Sequence, residues 1–454
     1  MSGPAGPSHR VSEGPLDHEK ALSDAACVLV VGTTPDYIQL IDERWPGRAA
    51  FLTQRELRAT ASEPPPARSI EFLCDLADWQ GALRSLSDEV NQRHVRIVGV
   101  TCYDCESLLA AAHIAQERGL PFASPEAVVT CRSKMACKER WRAAGVPCPR
   151  SALVRAPAET LGFQAAVDGP IVLKPLSGSG SELTFLCRNQ TEVAAAMATL
   201  STRLAEHCDE RMFGELAEGR TAFVVEEFVE GAELSADLWL NDGRAQLVRV
   251  ASKLARPGDF GTTLAYVVPG ELPDGLSCEA LTELLAQGAA AVGLESGLCM
   301  ADLIVRGGKG VLLEMAPRPG GDCLPDLVLE ALGIDIIGAA LDVAEGRALS
   351  LAGAAGLTSP HPVVGLRLFA ERAGVVTMAG LGRVAADPRV AQCRLKHGRG
   401  HRVVLPPEDY DSRILGHVLF RPTPGESIDV QCRELSAAFT PEIEDEPCVT
   451  AQTC

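Results

Sequence analysis

Apolar and polar positions alternate along this chain in short β-branched runs separated by longer stretches of helical spacing, the order expected of a layered α/β architecture. Ala26–Val31 is apolar almost throughout, as a strand covered on both faces would be, and it runs into Gly32-Thr33-Thr34-Pro35. A helical stretch follows near Tyr37–Arg44, and strands are predicted at Ala49–Leu52, Ser69–Leu73 and Val95–Thr101. The helix Ser107–Arg118 should stop at Gly119, because a residue without Cβ readily takes the left-handed conformation that ends helices. These elements describe a small doubly wound unit. Its Gly-Thr-Thr-Pro turn lacks the GxGxxG spacing that lets a backbone approach a pyrophosphate, which argues against a dinucleotide there. A ligand beyond the carboxyl ends of the strands remains the expectation for such sheets. Asp104 and Glu106 are therefore candidates for holding a substrate amine; the alternative is a pair of solvated loop carboxylates.

A second block runs from about Thr130 to Pro360 and a third from His361 to about Phe439. In the third, Val363–Phe369, Gly374–Val376, Arg402–Val404 and Ile414–Phe420 read as strands between Gly/Pro turns, a small mostly-β cap with no obvious chemistry. The first 24 residues and the acidic stretch from Thr440 read as tails. Composition narrows the function classes. With 42 Lys+Arg against 60 Asp+Glu, the charge of −18 excludes a non-specific nucleic-acid binder. No run approaches the roughly 20 apolar residues of a membrane span, and the start has no apolar leader segment, so a cytoplasmic protein is expected. The 16 cysteines are scattered without the paired spacing of a zinc site and read as free thiols.

Four segments carry candidate chemistry. In Ile171-Val172-Leu173-Lys174-Pro175-Leu176-Ser177-Gly178-Ser179-Gly180-Ser181, a lysine closes a buried strand and a Gly/Ser loop follows. That combination supplies one cation and several amides for phosphate oxygens, although the loop taken alone could be a plain turn. Lys134 opens a helix at its N-terminus, against the helix dipole; a bound polyanion would explain it, and an exposed surface lysine is the other reading. In Phe223–Glu233, an apolar strand runs into Glu226, Glu227, Phe228 and Val229 and then Gly231, a hinge whose backbone can read an adenine edge. Glu226 could accept from the exocyclic amine and Glu233 from ribose hydroxyls, while Glu233, Ser235 and Asp237 share one strand face that could equally be solvated. Finally, Met300–Val305 and Val311–Ala316 are strands joined by a tight Gly-rich turn that can bring Asp302 beside Glu314. Paired carboxylates repel and need a cation, and hard oxygen ligands beside phosphates select Mg²⁺. Arg318, four residues past Glu314, can then reach a phosphate or an oxyanion.

The succession of Lys134, Lys174 with its SGSGS loop, the EEFVEG hinge, Asp302, and Glu314 followed by Arg318-Pro319-Gly320-Gly321 resembles the ATP-grasp superfamily over residues 27–430. The EMAPRPGGD ending and the GLRLF…AGVV cap are most similar to the L-amino-acid ligases, carboxylate–amine ligases that form dipeptides. The resemblance implies an α/β ATP-grasp fold divided at 25–130 (Rossmann-like), 131–222 (linker helix and small α+β lid), 223–360 (α+β core) and 361–439 (appended β-rich subdomain), with tails at 1–24 and 440–454. It makes Lys134 and Lys174 phosphate ligands and Ser177, Gly178, Ser179, Gly180 and Ser181 the loop over the phosphates. Glu226, with the backbone of Glu227, Phe228 and Val229, becomes the adenine contact and Glu233 the ribose contact. Asp302 and Glu314 become ligands of Mg²⁺, with Mn²⁺ as an alternative, and Arg318 joins Lys174 in catalysis. Asp104, Glu106, Tyr266, Gly320, Gly321 and Asp322 are candidates for the substrate end. The implied partners are ATP, a small acid and an amine, with no nucleic acid or membrane and a homodimer by family analogy.

Two departures stand out: Ala316 occupies the place of a frequent Asn, and Ala265-Tyr266 stands where the ligases often have Gly-His. The rival readings are a bicarbonate-using ATP-grasp carboxylase and a nucleotide-binding module without catalysis.

Overall fold

A computed structural model describes residues 26–206, 221–349 and 361–445. The expected tail 1–24 and the end of the acidic tail lie outside them. The first sheet is parallel throughout, with strands β1 (Ala26–Val31), β2 (Ala49–Gln54), β3 (Ile70–Cys74) and β4 (Arg96–Thr101) in the order β3-β2-β1-β4. Helices cover it, and the helix Leu108–Arg118 ends at Gly119 with φ +64°, as the sequence predicts. Core residues such as Leu29, Val31, Leu52 and Phe72 are fully buried on one side; Val28, Val30 and Phe51 are buried on the other.

The second sheet is antiparallel, with β5 (Ser151–Val154), β6 (Ile171–Pro175), β7 (Phe185–Cys187) and β8 (Phe223–Glu227) in the order β5-β8-β6-β7. It has its own core, where Leu173 and Val225 meet Val193, Met197 and Leu200 of the helix Gln190–Glu206. The boundary expected at residue 222 is thus shifted, because β8 belongs to the lid sheet.

The third sheet builds the floor of the molecule. Its strands are β9 (Ala232–Asn241), β10 (Arg244–Ala255), β11 (Thr263–Val268), β12 (Gly297–Arg306), β13 (Lys309–Ala316), β14 (Val363–Phe369), β16 (Val390–Leu395) and β18 (Ile414–Phe420), with β15 (Gly374–Met378) and β17 (Arg402–Val403) lying elsewhere. The order is β13-β12-β9-β10-β11-β14-β18-β16. This corrects the expectation of an appended cap at 361–439: β14 pairs with β11, so three strands of that segment continue the central sheet. The expected acidic tail is also part of the fold at its start, since β19 (Glu442–Glu444) joins β15 and β17 in a three-stranded sheet.

The parallel domain is fastened to the central one. Arg48 pairs with Asp342 and Glu345, and the Tyr103 hydroxyl donates to Ile337 O at 3.0 Å.

Candidate active site

Side chains alternate between faces along a strand, and register decides which of them meet. Asp302 of β12 lies directly opposite Glu314 of β13 and, on its other side, opposite Ser235 of β9. Ser235 faces Ala251 of β10, Lys253 lies two residues on, and Lys253 faces Tyr266 of β11. Tyr266 faces Gly365 of β14, two residues before Arg367. One face of the central sheet therefore carries Glu314, Asp302, Lys253, Tyr266 and Arg367 in a row.

Lys253 is buried between Asp302 Oδ2, at 3.2 Å, and the Glu233 carboxylate. Burial disfavours its charge, but those two carboxylates outweigh it and hold the ammonium well above the ordinary lysine range. Asp302 Oδ1 is buried and takes no hydrogen bond, an orphaned carboxylate oxygen on the residue that faces Glu314 in register. Among the described residues no three His, Cys, Asp or Glu side chains converge on one point.

Above this row lies a cleft of about 970 Å³ between the lid and central sheets. Gly178, Ser179 and Ser181 line it together with Lys134, Lys174, Glu226–Gly231, Glu233, Asp302 and Glu314. Gly180 joins Gly178, Ser179 and Ser181 at the adjoining inner cavity, whereas Ser177 is buried beneath the loop and lines neither space. Lys134 is not the exposed surface lysine of the alternative reading. Its ammonium donates to Gly178 O at 3.2 Å, and burial, opposed in part by Glu314, pulls it down to about 8. Phe228 and Phe260 stand edge to face at 6.1 Å on the cleft wall.

Glu226 departs from expectation. Its two oxygens face Lys138 at 2.9 Å and Lys174 at 2.8 Å, and all three groups are buried. Burial raises the Glu226 carboxyl, but the two lysines more than offset this and hold it below the usual range. In this conformation Glu226 holds the two lysines, so an adenine amine would have to share it. The amides of Glu227 and Phe228 are likewise engaged, donating to Arg150 O and Pro170 O.

The inner end of the cleft is lined by Cys105, Met300, Ala316, Arg318, Gly321, Asp322, Tyr266 and Arg367. The loop carrying Arg318 is anchored from below by a buried ion pair. Arg249 donates to both Asp237 oxygens, at 2.8 and 3.1 Å, and Asp237 Oδ1 also accepts the Gly320 amide at 3.0 Å. Gly320, expected at the substrate, is therefore a structural position: a Cβ there would lie 2.4 Å from Arg249 Nη2. The face holding Ser235 and Asp237 is buried, which removes the solvated reading.

Asp104 is corrected in the same way. Its oxygens accept the amides of Thr33 and Ser107, both at 2.6 Å, and the Ser107 hydroxyl, so it locks a turn instead of offering itself to an amine. Neither Asp104 nor Glu106 lines the cleft, whereas Cys105 between them does. Asp322 is at the cleft, ion-paired with Arg367 at 2.6 Å, and Arg367 lies over the Tyr266 ring.

Lys138, Lys253, Arg249, Arg367 and Cys105 were missed by motif reading. Arg249 and Lys253 did leave a signal, since charges four apart in LVRVASKLA share one face of an otherwise apolar strand. The cysteines of the described residues are all free, as expected. None of the described helices is long and apolar enough to cross a membrane.

Three layers around a cleft with this lysine and carboxylate set define an ATP-grasp fold. Residues 167–326 match the ATP-grasp domain family, and the chain carries that domain. Among curated proteins it is 28% identical over 325 residues to the uncharacterized protein y4rH of Sinorhizobium fredii, covering 71% of this chain and 63% of that one. It is 29% identical over 276 residues to carnosine synthase 1 of Homo sapiens, covering 58% of this chain and 32% of that protein. The chain thus spans less than two thirds of the length of these relatives. Among solved structures, the L-amino acid ligase from Bacillus licheniformis superposes with a TM-score of 0.71 at 17% identity, covering 92% of this chain and 99% of that one.

Proposed function

We propose that the protein is an ATP-dependent carboxylate–amine ligase, joining an amino acid or small carboxylic acid to the amine of an amino acid and releasing ADP and phosphate. One observation carries the reading: Asp302 and Glu314 face each other in register beneath a loop of amides, with Lys134, Lys174, Lys253 and Arg318 around the same cleft. This is cation and amide placement for a tetra-anionic nucleotide in a protein whose overall charge is −18. The similarity to carnosine synthase 1 and the fold shared with an L-amino acid ligase point the same way.

A carboxylate does not react with an amine directly, because its leaving group would be oxide. In the proposed reaction the acid oxygen attacks the γ-phosphorus of ATP and ADP leaves. The amine then attacks the acyl carbon of the acyl phosphate; the C–O bond to phosphate breaks, and the amine loses a proton. The protein's share is alignment and charge neutralisation. Lys134, Lys174 and the 178–181 amides hold phosphate oxygens, while Phe228, Val229 and Phe260 enclose the base. Lys253 neutralises charge beside the transferred group, and Arg318 stabilises the oxyanion at the acyl carbon. The orphaned Asp302 oxygen and the facing Glu314 suit a hard divalent cation such as Mg²⁺, completed by phosphate oxygens and water. Such a cation would screen the phosphates as Lewis acid. Tyr266, Gly321 and the Asp322–Arg367 pair border the amine substrate.

The test is a matrix of acids against amines with ATP and Mg²⁺, read by phosphate release and product mass. The expected result is ADP formation that needs both substrates, with Arg318→Ala lowering kcat by about 10²–10³. Turnover driven by bicarbonate without an amine, or none with any pair, would overturn the proposal.

A further inference from the structure

Arg318 differs from Arg249 and Arg367 in what holds it. Arg249 and Arg367 are tied to carboxylates. Arg318 Nε instead donates to Cys105 Sγ at 3.0 Å, and Nη1 donates to Pro319 O at 2.8 Å. Among the described residues no carboxylate lies within ion-pairing distance of its guanidinium. A carboxylate in that place would fix the side chain and also spend its charge. A sulfur acceptor fixes direction while leaving the cation to meet an anion in the cleft.

Cys105 is brought there from 213 residues away, out of the parallel domain. Its loop leaves β4 and is locked by the Asp104 carboxylate, which binds the Thr33 and Ser107 amides. Gly32 completes the lock. It has φ +76°, and a Cβ there would come within 2.4 Å of both the Asp104 carboxylate and the Ser107 hydroxyl.

We propose that Cys105 is the positioning residue for Arg318, so that the parallel domain sets the direction of a guanidinium belonging to the central one. The catalytic part of this rests on the ligase reading; the contact itself does not. Sulfur accepts the Nε–H and, with Pro319 O holding Nη1, fixes the guanidinium at the inner cleft, where an acyl oxygen would bear negative charge. Serine keeps an acceptor at the same place and alanine does not.

The experiment has two arms. In the first, Cys105→Ala and Cys105→Ser are assayed with the substrate pair found active, after thermal-shift measurements show that both fold and bind ATP. The expected result is a fall of about tenfold or more in kcat for Cys105→Ala with KM for ATP little changed, and recovery of most of the rate in Cys105→Ser. Unchanged kcat in the alanine variant, or equal losses in both, would overturn the proposal. The second arm needs no activity. Alkylation of Cys105 by iodoacetamide, followed by peptide mass spectrometry, should change several-fold in rate in Arg318→Met, since the guanidinium that contacts the sulfur at 3.0 Å is gone. An unchanged alkylation rate would overturn the contact. If no substrate pair turns over in the wild-type protein, the ligase reading fails while this second arm still decides the geometry.

Discussion

The Arg249–Asp237 pair gives the sharpest prediction, because it separates holding the fold from aiming the site. Both side chains are almost wholly buried, at 0% and 1% exposed. Arg249 makes four hydrogen bonds, two to Asp237 and two to Ser235. Asp237→Asn removes one charge and leaves the other in a place water cannot reach. Breaking a buried pair on one side costs about 3–5 kcal/mol, and the isosteric change should fall at the low end because Asn can still accept from the Gly320 amide. Asp237→Ala also orphans that amide, adding about 1–3 kcal/mol, less than additively because the groups share one site. Urea unfolding followed by tryptophan fluorescence should show the midpoint falling in the order wild type, Asn, Ala. The functional effect is separate. Gly320 follows Arg318 by two residues, so the alanine variant should lose kcat on the order of 10²-fold through misplacement, with KM for ATP nearly constant. The decisive control is Asp237→Leu with Arg249→Leu. Replacing a buried pair by apolar groups is often close to neutral, so stability should largely return while kcat stays low. A wild-type urea midpoint for Asp237→Asn, or wild-type kcat in the double leucine variant, would refute this account of the loop.

Three further outcomes follow from the cleft. Lys253→Met should lower kcat by about 10²-fold or more and also lower the thermal midpoint, because Glu233 is open to water but the largely buried Asp302 loses its cation. Lys134 is pulled down to about 8 by burial, so it is cationic below that pH and neutral above it. Accordingly kcat/KM for ATP should fall as pH rises through about 8, and Lys134→Arg should abolish that limb. Glu226→Gln strips the shared partner of Lys138 and Lys174. Urea unfolding should register a loss of about 3 kcal/mol or more, and a calorimetric titration should show weaker ATP binding.

How far the sequence could be read depended on whether a residue's partners lie in its own segment. Asp302 and Glu314 were legible as near neighbours because a tight turn, Gly307-Gly308 with φ +56° and +75°, starts the pairing locally, whereas the bulge between Asp302 and Leu303 that brings Glu314 opposite Asp302 left no sign in the sequence. The doubly wound character of the first unit and the free thiols were legible for similar reasons of pattern. The lysine pairing of Glu226 was not legible because its partner Lys138 comes from a distant helix, and no local pattern says that a strand glutamate will face two lysines. Asp104 looked like a ligand because a loop carboxylate after a parallel strand often is one; whether its oxygens are already taken depends on Thr33 in another loop. The same limit hid β14, since an apolar strand does not announce which sheet it will extend.

That extension also bears on how the protein is made. Translation delivers the cleft-lining Lys134, Lys174 and Lys253, together with Asp302 and Glu314, before it delivers Arg367 or the strand that covers β11. A nascent chain at that stage exposes the flank of Thr263–Val268, a strand buried along its whole length in the finished protein. Bare apolar edges of this kind recruit other chains, so the interval before β14 docks is when chaperones should hold this polypeptide most tightly. It is also an interval in which Asp322 and Tyr266 still lack Arg367, the partner that meets them at the inner cleft.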